Sequence, residues 1–173
     1  MSTFELEIWD DEAERVTFYS VRWQDSDVLE TDKFLEKYEK IDKDATQKLV
    51  SLLLDAIGTD HGALEEFFRP EDGVTGLPPK GRITVNEVNF HYPQFPLRLY
   101  ALRINDRDDL VVLFNGGKKS ANTNQESPDL NLKFIEAKAF GKRIEEALRD
   151  GTIIIDEPSR TLRSFDGSSS IVL

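Results

Sequence analysis

One continuous stretch, residues 95–151, constrains the fold more than any other part of the chain. It opens with FPLRLYALRI, whose side chains alternate between two sets, as they do in a strand that presents different faces to its surroundings. One set is Leu97, Leu99 and Ala101, and the other is Arg98, Tyr100, Leu102 and Ile104. A short acidic turn over residues 105–109 follows, which predicts that the next strand returns antiparallel to the first.

The returning strand, residues 110–114, is almost wholly apolar and is predicted to be buried on both faces. Residues 115–117, an Asn followed by two Gly, are expected to release the chain from the sheet. Lys118 and Lys119 then stand at the strand exit. The pattern therefore places two cations directly after a buried strand.

The long helix that follows has both of its ends marked in the sequence. Ser127 is a good N-terminal cap, Pro128 suits the first turn, and Asp129 complements the positive end of the helix dipole. Apolar residues then recur at helical spacing until Gly151, a typical C-terminal stop. This pattern predicts one amphipathic helix that covers the sheet.

Two helices are predicted before the central strands. Thr31 is expected to cap the first helix, and Asp42 or Asp44 is expected to begin the second. The second helix carries a wide apolar stripe and is predicted to stop at Gly58. Together they form an N-terminal helical hairpin.

Residues 59–80 are rich in Gly and Pro and are predicted to be largely loop, with a short helix near residues 63–68. Arg69, which has Glu residues on both sides, is predicted to be an ion-paired structural residue. Residues 81–90 alternate imperfectly and are predicted as a strand that pairs with residues 95–104 through the turn HYPQFP.

A β-hairpin is predicted as an extension at each end of the chain. Residues 1–28 alternate apolar and polar side chains on either side of the acidic turn DDEAE. Residues 152–173 contain TIIID, then TLRSF and SIVL, with the turn of the second hairpin at Asp166 and Gly167.

The predicted fold class is α+β: an antiparallel sheet with an N-terminal helical hairpin, one C-terminal covering helix, and N- and C-terminal β-hairpin extensions. A chain of 173 residues supports one core, so residues 1–173 are predicted to form a single domain whose core spans residues 29–151. The absence of Cys excludes disulfides and thiolate chemistry. Neither a signal peptide nor a membrane span is indicated, and no metal or cofactor motif is present, so a cytoplasmic protein without cofactors is expected.

The charge of the chain is −11 and is unevenly distributed. Residues 1–45 contain 14 acidic and 6 basic side chains, a net charge of −8, whereas residues 80–143 contain 11 basic and 7 acidic side chains, a net charge of +4. Long-range attraction to RNA is therefore poor for the whole molecule. A local basic face on the central segment remains compatible with these numbers.

The order of strand, hairpin, apolar strand, Lys-Lys exit and amphipathic helix resembles the RelE/HigB superfamily, the toxins of bacterial type II toxin–antitoxin pairs. The resemblance is carried by LRLYALR, LVVLFNGGKKS and EAKAFGKRIEEAL, which cover about the middle third of the chain. It implies a RelE-like core and a ribonuclease that cleaves mRNA inside the ribosome. It also implies an antitoxin that neutralises the site.

The resemblance assigns phosphate binding to Arg98, because that residue lies where the family strand carries its phosphate-binding Arg. Tyr100 is predicted to share the strand face of Arg98, and His91 is the better of the two His residues for proton transfer. Such cleavage needs no metal, because converging cations stabilise the charge of a phosphoryl transition state. The candidate catalytic residues are Arg98, Lys118, Lys119, Tyr100 and His91, and the candidate RNA-binding residues are Arg82 and Arg103.

Two other interpretations stay open. The segment TVNEVNF contains Glu87 and no basic residue, and TIIID after the helix offers no His, so the chain also fits a noncatalytic RelE-like scaffold that binds a protein or oligomerises. In that case the extension hairpins are candidates for a homodimer contact. An unrelated α+β domain of accessory type is the third interpretation.

Overall fold

A computed structural model describes residues 2–119 and 128–173. The predicted cap at Ser127 lies outside the described residues. The elements in chain order are β1 (Phe4–Asp10), β2 (Thr17–Trp23), α1 (Glu30–Ile41), α2 (Lys43–Ser51), β3 (Arg69–Pro70), β4 (Thr75–Leu77), β5 (Arg82–Val85), β6 (Val88–His91), β7 (Leu97–Arg103), β8 (Leu110–Lys118), α3 (Pro128–Asp150), β9 (Ile153–Asp156), β10 (Thr161–Ser164) and β11 (Ile171–Val172). α2 continues as a π-helical segment, Leu52–His61.

Seven strands form one central sheet in the order β11-β1-β2-β8-β7-β4-β3. All neighbouring strands are antiparallel except β2 and β8, which are parallel. The predicted α+β class is confirmed, as are the β7–β8 hairpin and the burial of β8 on both faces. The predicted N-terminal hairpin is also confirmed, and its parallel contact with β8 makes it an integral part of the sheet.

The central sheet separates two hydrophobic cores. α1, α2 and the π-helical segment cover one face, while α3 and the β9–β10 hairpin cover the other. The alternation predicted for β7 is confirmed, because its two sets of side chains point into different cores. Leu97, Leu99 and Ala101 lie in the first core, and Tyr100, Leu102 and Ile104 lie in the second.

β8 extends further than predicted. The prediction that residues 115–117 release the chain is wrong, since they remain in the strand. The register with β7 shifts between Leu99 and Ala101, which marks a bulge in β8. At this position Gly116 permits a close approach of two backbones, because a Cβ atom there would lie 1.8 Å from the carbonyl oxygen of Arg98. The glycine therefore serves strand packing rather than chain release.

The strand that pairs with the outer edge of β7 is not the predicted one. In the part of the chain that the structure describes, β5 and β6 pair only with each other, around Asn86 and Glu87, which both have positive φ values. Two such residues form a tight hairpin turn, which the prediction missed. The partner of β7 is β4, from a segment predicted to be loop, and β3 pairs with β4 in turn.

The helix ends follow the predictions in part. Asp42 caps α2 by accepting a hydrogen bond from the amide of Ala45 at 3.1 Å, as predicted. The predicted cap at Thr31 is wrong, because α1 begins at Glu30 and the Thr31 hydroxyl donates to the buried carbonyl of Phe114. The predicted stop at Gly58 is also wrong, because the π-helical hydrogen bonds continue to His61.

α3 ends at Asp150 and Gly151 has a φ of +82°, as predicted for a helix stop. The predicted hairpin turn at Asp166 and Gly167 is wrong. β10 pairs with β9, and β11 leaves to pair with β1. The reason is burial, since Ile171 of β11 packs beside Leu6 in the second core.

An ion-pair network joins the central sheet to the β9–β10 turn. Arg107 binds Asp109 at 2.8 Å and Glu157 at 2.6 Å, and these contacts lower the pKa of both carboxyl groups. A carboxyl group with a lowered pKa stabilises the fold above its ordinary pKa, and this stabilisation is lost as the pH falls.

We expect the free energy of unfolding of Arg107→Ala to depend less on pH in the acid range than that of wild type. Wild type should lose stability more steeply than the variant between about pH 5 and pH 3, because only wild type loses the paired carboxylates there. Urea unfolding at several pH values measures both curves. If the free energies of unfolding of wild type and variant fell in parallel as the pH was lowered, the Arg107 ion pairs would not be the cause of the acid sensitivity.

Candidate functional site

A cavity of about 550 Å³ opens where the first residues of β7 meet the last residues of β8. Its volume is in the range of small-ligand sites. Within the described ranges, four separate segments line it. They contribute Glu66 and Phe68 to Glu71, then Pro79, Lys80 and Ile83, then Arg98, and finally Lys119.

The sheet register brings the basic residues together. Arg98 pairs with Gly117, and the amide of Lys119 donates to the carbonyl of Pro96 at 2.7 Å, so Lys119 leaves β8 beside the start of β7. On the other side of β7, β4 lies between Arg98 and Arg69. The cavity is therefore a consequence of strand order.

Gly76 in β4 leaves the space in which the two guanidinium side chains approach each other. A Cβ atom at Gly76 would lie 3.3 Å from Cγ of Arg69, 3.3 Å from Oε1 of Glu71 and 3.4 Å from Cδ of Arg98. A side chain at this position would meet all three groups. Because Gly76 has no side chain, Arg69 and Arg98 from two different strands can both contact one carboxylate.

Glu71 is that shared carboxylate. Its Oε1 lies 3.2 Å from Nη1 of Arg98 and 3.7 Å from Nε of Arg69. The Arg98 side chain is 6% exposed, so the cation is held in place and largely shielded from water. A shielded guanidinium interacts more strongly with an anion than an exposed one does.

Cations outnumber carboxylates in this cavity. Among the described residues, four Lys or Arg side chains and two Glu side chains line it, which gives these residues a net charge of +2 on a molecule of charge −11. Burial lowers the pKa of Lys119, and repulsion from Arg98 and Arg69 lowers it further. An anion that entered the cavity would relieve this repulsion.

We expect the affinity of the cavity for inorganic phosphate to fall as Lys119 loses its proton. Because the pKa of Lys119 is lowered, this step should come below the usual lysine value of 10.5. Calorimetric titration over a pH series measures it. Lys119→Met should remove the step, whereas Lys142→Met, an exposed substitution on α3, should keep it.

The structure brings together two of the residues predicted as catalytic, Arg98 and Lys119. Lys118 is exposed and does not line the cavity. Tyr100 shares the strand face of Arg98, but it is fully buried in the second core, where its ring packs 5.5 Å from that of Phe134.

The remaining predicted residues lie elsewhere. Arg82 and His91 are opposite each other in the β5–β6 hairpin, exposed and outside the cavity lining. Arg103 is at the far end of β7, where it donates to the carbonyl of Ala63 at 2.8 Å and pairs with Asp108 at 2.9 Å. These contacts give Arg103 a structural role between the strand and the loops around it.

Arg69, Glu71 and Lys80 belong to the cavity and were missed as site residues. Arg69 is ion-paired, as predicted, but it also lines the cavity. Arg69 reaches the cavity because β3 pairs with β4, which places Arg69 opposite Gly76. Strands of two and three residues are too short to show a periodic pattern.

Comparisons with protein-family models, with curated proteins and with solved structures found no match to this chain. Within residues 2–119 and 128–173, no three His, Asp or Glu side chains come together as a metal-ligand set. In the same ranges, no helix combines the length and apolar composition of a membrane span.

Proposed function

We propose that this cavity binds the phosphate of an RNA chain and promotes its cleavage without a metal ion. The observation that supports this proposal is the convergence of Arg69, Arg98 and Lys119, from three separate segments, in one cavity of net positive charge. The resemblance to RelE/HigB toxins, which implied phosphate binding at Arg98, agrees with this reading of the cavity.

The proposed role of each cation follows from where negative charge develops during RNA cleavage. In RNA, the 2′-hydroxyl attacks the adjacent phosphorus, which forms a cyclic phosphate and breaks the bond to the 5′-oxygen of the next nucleotide. The 2′-hydroxyl gives its proton to water, and water protonates the leaving 5′-oxygen. The phosphoryl group gains negative charge in the transition state, and fixed cations lower its energy. Arg98 and Arg69 supply guanidinium groups that suit phosphate oxygens, and Lys119 supplies a point charge.

The cavity also has an apolar wall. Phe68, Pro79 and Ile83 lie on its lining beside the basic residues. A nucleotide presents a flat apolar base next to a charged phosphate, so this arrangement fits one nucleotide of a single strand. The proposed substrate is therefore single-stranded RNA.

The charge of the whole molecule bears on its partners. Because a net charge of −11 repels free RNA and ribosomes alike at long range, only the local cations of the cavity favour contact with RNA. We propose that mRNA is met on the ribosome because the resemblance to the toxins implies it. We further propose that an antitoxin protein covers the cavity and neutralises its cations.

The test is expression of the full chain in a bacterial host, with growth and mRNA integrity followed together. Growth arrest accompanied by new mRNA 5′ ends, mapped by primer extension, is the expected result. Intact mRNA in cells that accumulate folded protein would overturn the proposal.

A noncatalytic anion-binding module is the second candidate. It is favoured by the shared pairing of Arg69 and Arg98 with Glu71 and by the position of His91 outside the cavity lining. Such a module would bind RNA or phosphate and leave the RNA intact.

A further inference from the structure

The outer edge of β1 is only partly paired. β11 covers it opposite Glu5 and Leu6, and Phe4 and Leu173 exchange backbone hydrogen bonds of 2.9 and 2.8 Å. Backbone groups along a strand alternate in direction, so the amide and carbonyl of Ile8 point to the same outer edge as those of Phe4. Among the described residues, no strand pairs with this edge beyond Leu6.

A groove of about 410 Å³ lies beside the open part of this edge. Its apolar lining includes Leu6, Tyr19, Leu162 and Ile171, all at most 3% exposed, and Ile8 at its rim is 42% exposed. Open, apolar strand edges are sites of strand addition unless charge or a covering segment protects them. The groove therefore has the features of a site for an extended peptide.

β10 lies across the groove from β1, and few of its backbone groups are available to a docked strand. The Tyr19 hydroxyl accepts a hydrogen bond from the amide of Leu162 at 2.8 Å, and the amide of Ser164 donates to the carbonyl of Ser168. These contacts occupy groups of β10 that would otherwise be available to a third strand. A docked segment would accordingly pair with β1 and place alternate side chains against Leu162.

Charge defines the chemistry of the partner. Between residues 2 and 16 the chain has six acidic side chains and one basic side chain. Glu5 and Glu7 line the groove from β1 and share Arg22, at 2.6 and 2.5 Å, while Arg163 lines it from β10. The acidic excess beside the open edge therefore comes from the turn after β1, where Asp11 and Glu12 are exposed. Pairing with the same edge of a second copy would bring two acidic strands together, which is unfavourable.

We propose that the open edge of β1 binds an extended segment of a partner protein in which apolar residues alternate with Lys or Arg. The apolar residues lie against Leu6, Tyr19 and Leu162, and the basic residues face the acidic strand and turn. The partner segment adds one strand to the central sheet beside Ile8. This inference is independent of RNA cleavage at the cavity.

The test uses a seven-residue peptide of alternating lysine and valine, added to the full-length, isotope-labelled protein. Saturable NMR shifts at the amides of Leu6, Ile8, Tyr19 and Ile171 are the expected result. A peptide of alternating glutamate and valine should leave these signals unchanged. The Ile8→Pro variant, which keeps the β1–β2 ladder but lacks the outward amide, should raise the dissociation constant at least about tenfold. Ile8→Ala keeps that amide and should raise the constant less.

Three results would overturn the proposal. Equal affinities of wild type and Ile8→Pro would show that no strand is added at this edge. Shifts spread over the acidic surface without Ile8 would show diffuse charge attraction. Shifts of Ile8 that depend on protein concentration alone would assign the edge to a second copy of this chain.

Discussion

Arg98→Ala is expected to lower the rate of RNA cleavage about 100- to 1,000-fold, the usual effect of removing one fixed group that stabilises transition-state charge. Arg98 is the most deeply buried of the cavity cations and contacts Glu71 directly. Arg98→Lys should recover only part of the rate, because an ammonium group cannot make the paired contacts of a guanidinium. Single-turnover cleavage of mRNA on programmed ribosomes measures both variants.

Arg149→Ala is the matched control for this prediction, because it removes an exposed Arg from the last turn of α3. It should leave the rate unchanged. Circular dichroism and the melting temperature show whether each variant is folded. Cleavage by a folded Arg98→Ala protein at the wild-type rate would remove Arg98 from the mechanism.

Gly116→Ala is expected to destabilise the fold by at least about 3 kcal/mol. The added Cβ would lie 1.8 Å from the carbonyl oxygen and 2.8 Å from the carbonyl carbon of Arg98, and 2.9 Å from Cα of Leu99. All three atoms are backbone of the neighbouring central strand, so no side-chain rotation can relieve the clash. The strands must separate, which disturbs both cores and the cavity. Urea unfolding measures the loss.

Gly117→Ala is the control at the next position of the same strand. Its Cβ would lie 3.4 Å from the nearest atoms, Cα and Cδ1 of Leu130, which is close to ordinary contact. Its effect should stay below about 1 kcal/mol. Equal losses for the two variants would mean that the β8 bulge is not the cause.

The sequence was sufficient to predict the elements that have a long, regular pattern. β7 and β8 were predicted from their alternating and unbroken apolar residues, and α3 was predicted from apolar spacing between Pro128 and Gly151. Each of these signals is local. Each also agrees with burial in the folded structure, so tertiary contacts had no reason to override it.

The wrong strand pairings in the prediction have one physical cause. Which strands pair depends on contacts between residues that are distant in the sequence. The segment of β5 and β6 forms a hairpin on itself, so the outer edge of β7 is left to β4. β11 pairs with β1, more than 160 residues away in the chain, because Ile171 is buried there. The local sequence of a strand does not indicate which distant strand it will pair with.

The candidate site was predictable only where it depends on the central hairpin. Arg98 lies in β7 and Lys119 directly follows β8, so the predicted hairpin sets the order of these strands, but the two cations meet because β8 continues to Lys118, which was not predicted. Arg69 and Lys80 reach the cavity through the short strands β3 and β4, which no periodic pattern reveals. Tyr100 is on the same strand face as Arg98, but its position further along β7 places it in the packed second core, whereas Arg98 lies at the end of β7 that opens to the cavity.

The central claim is that cations from separate strands form one phosphate site on an anionic protein. A crystal structure of the protein with a trinucleotide that carries 2′-O-methyl groups, and so cannot be cleaved, tests it most directly. We predict a phosphate within about 3 Å of the Arg98 guanidinium and the Lys119 ammonium groups. A nucleotide bound elsewhere, with Arg98 still paired to Glu71 and no ligand in the cavity, would contradict the account.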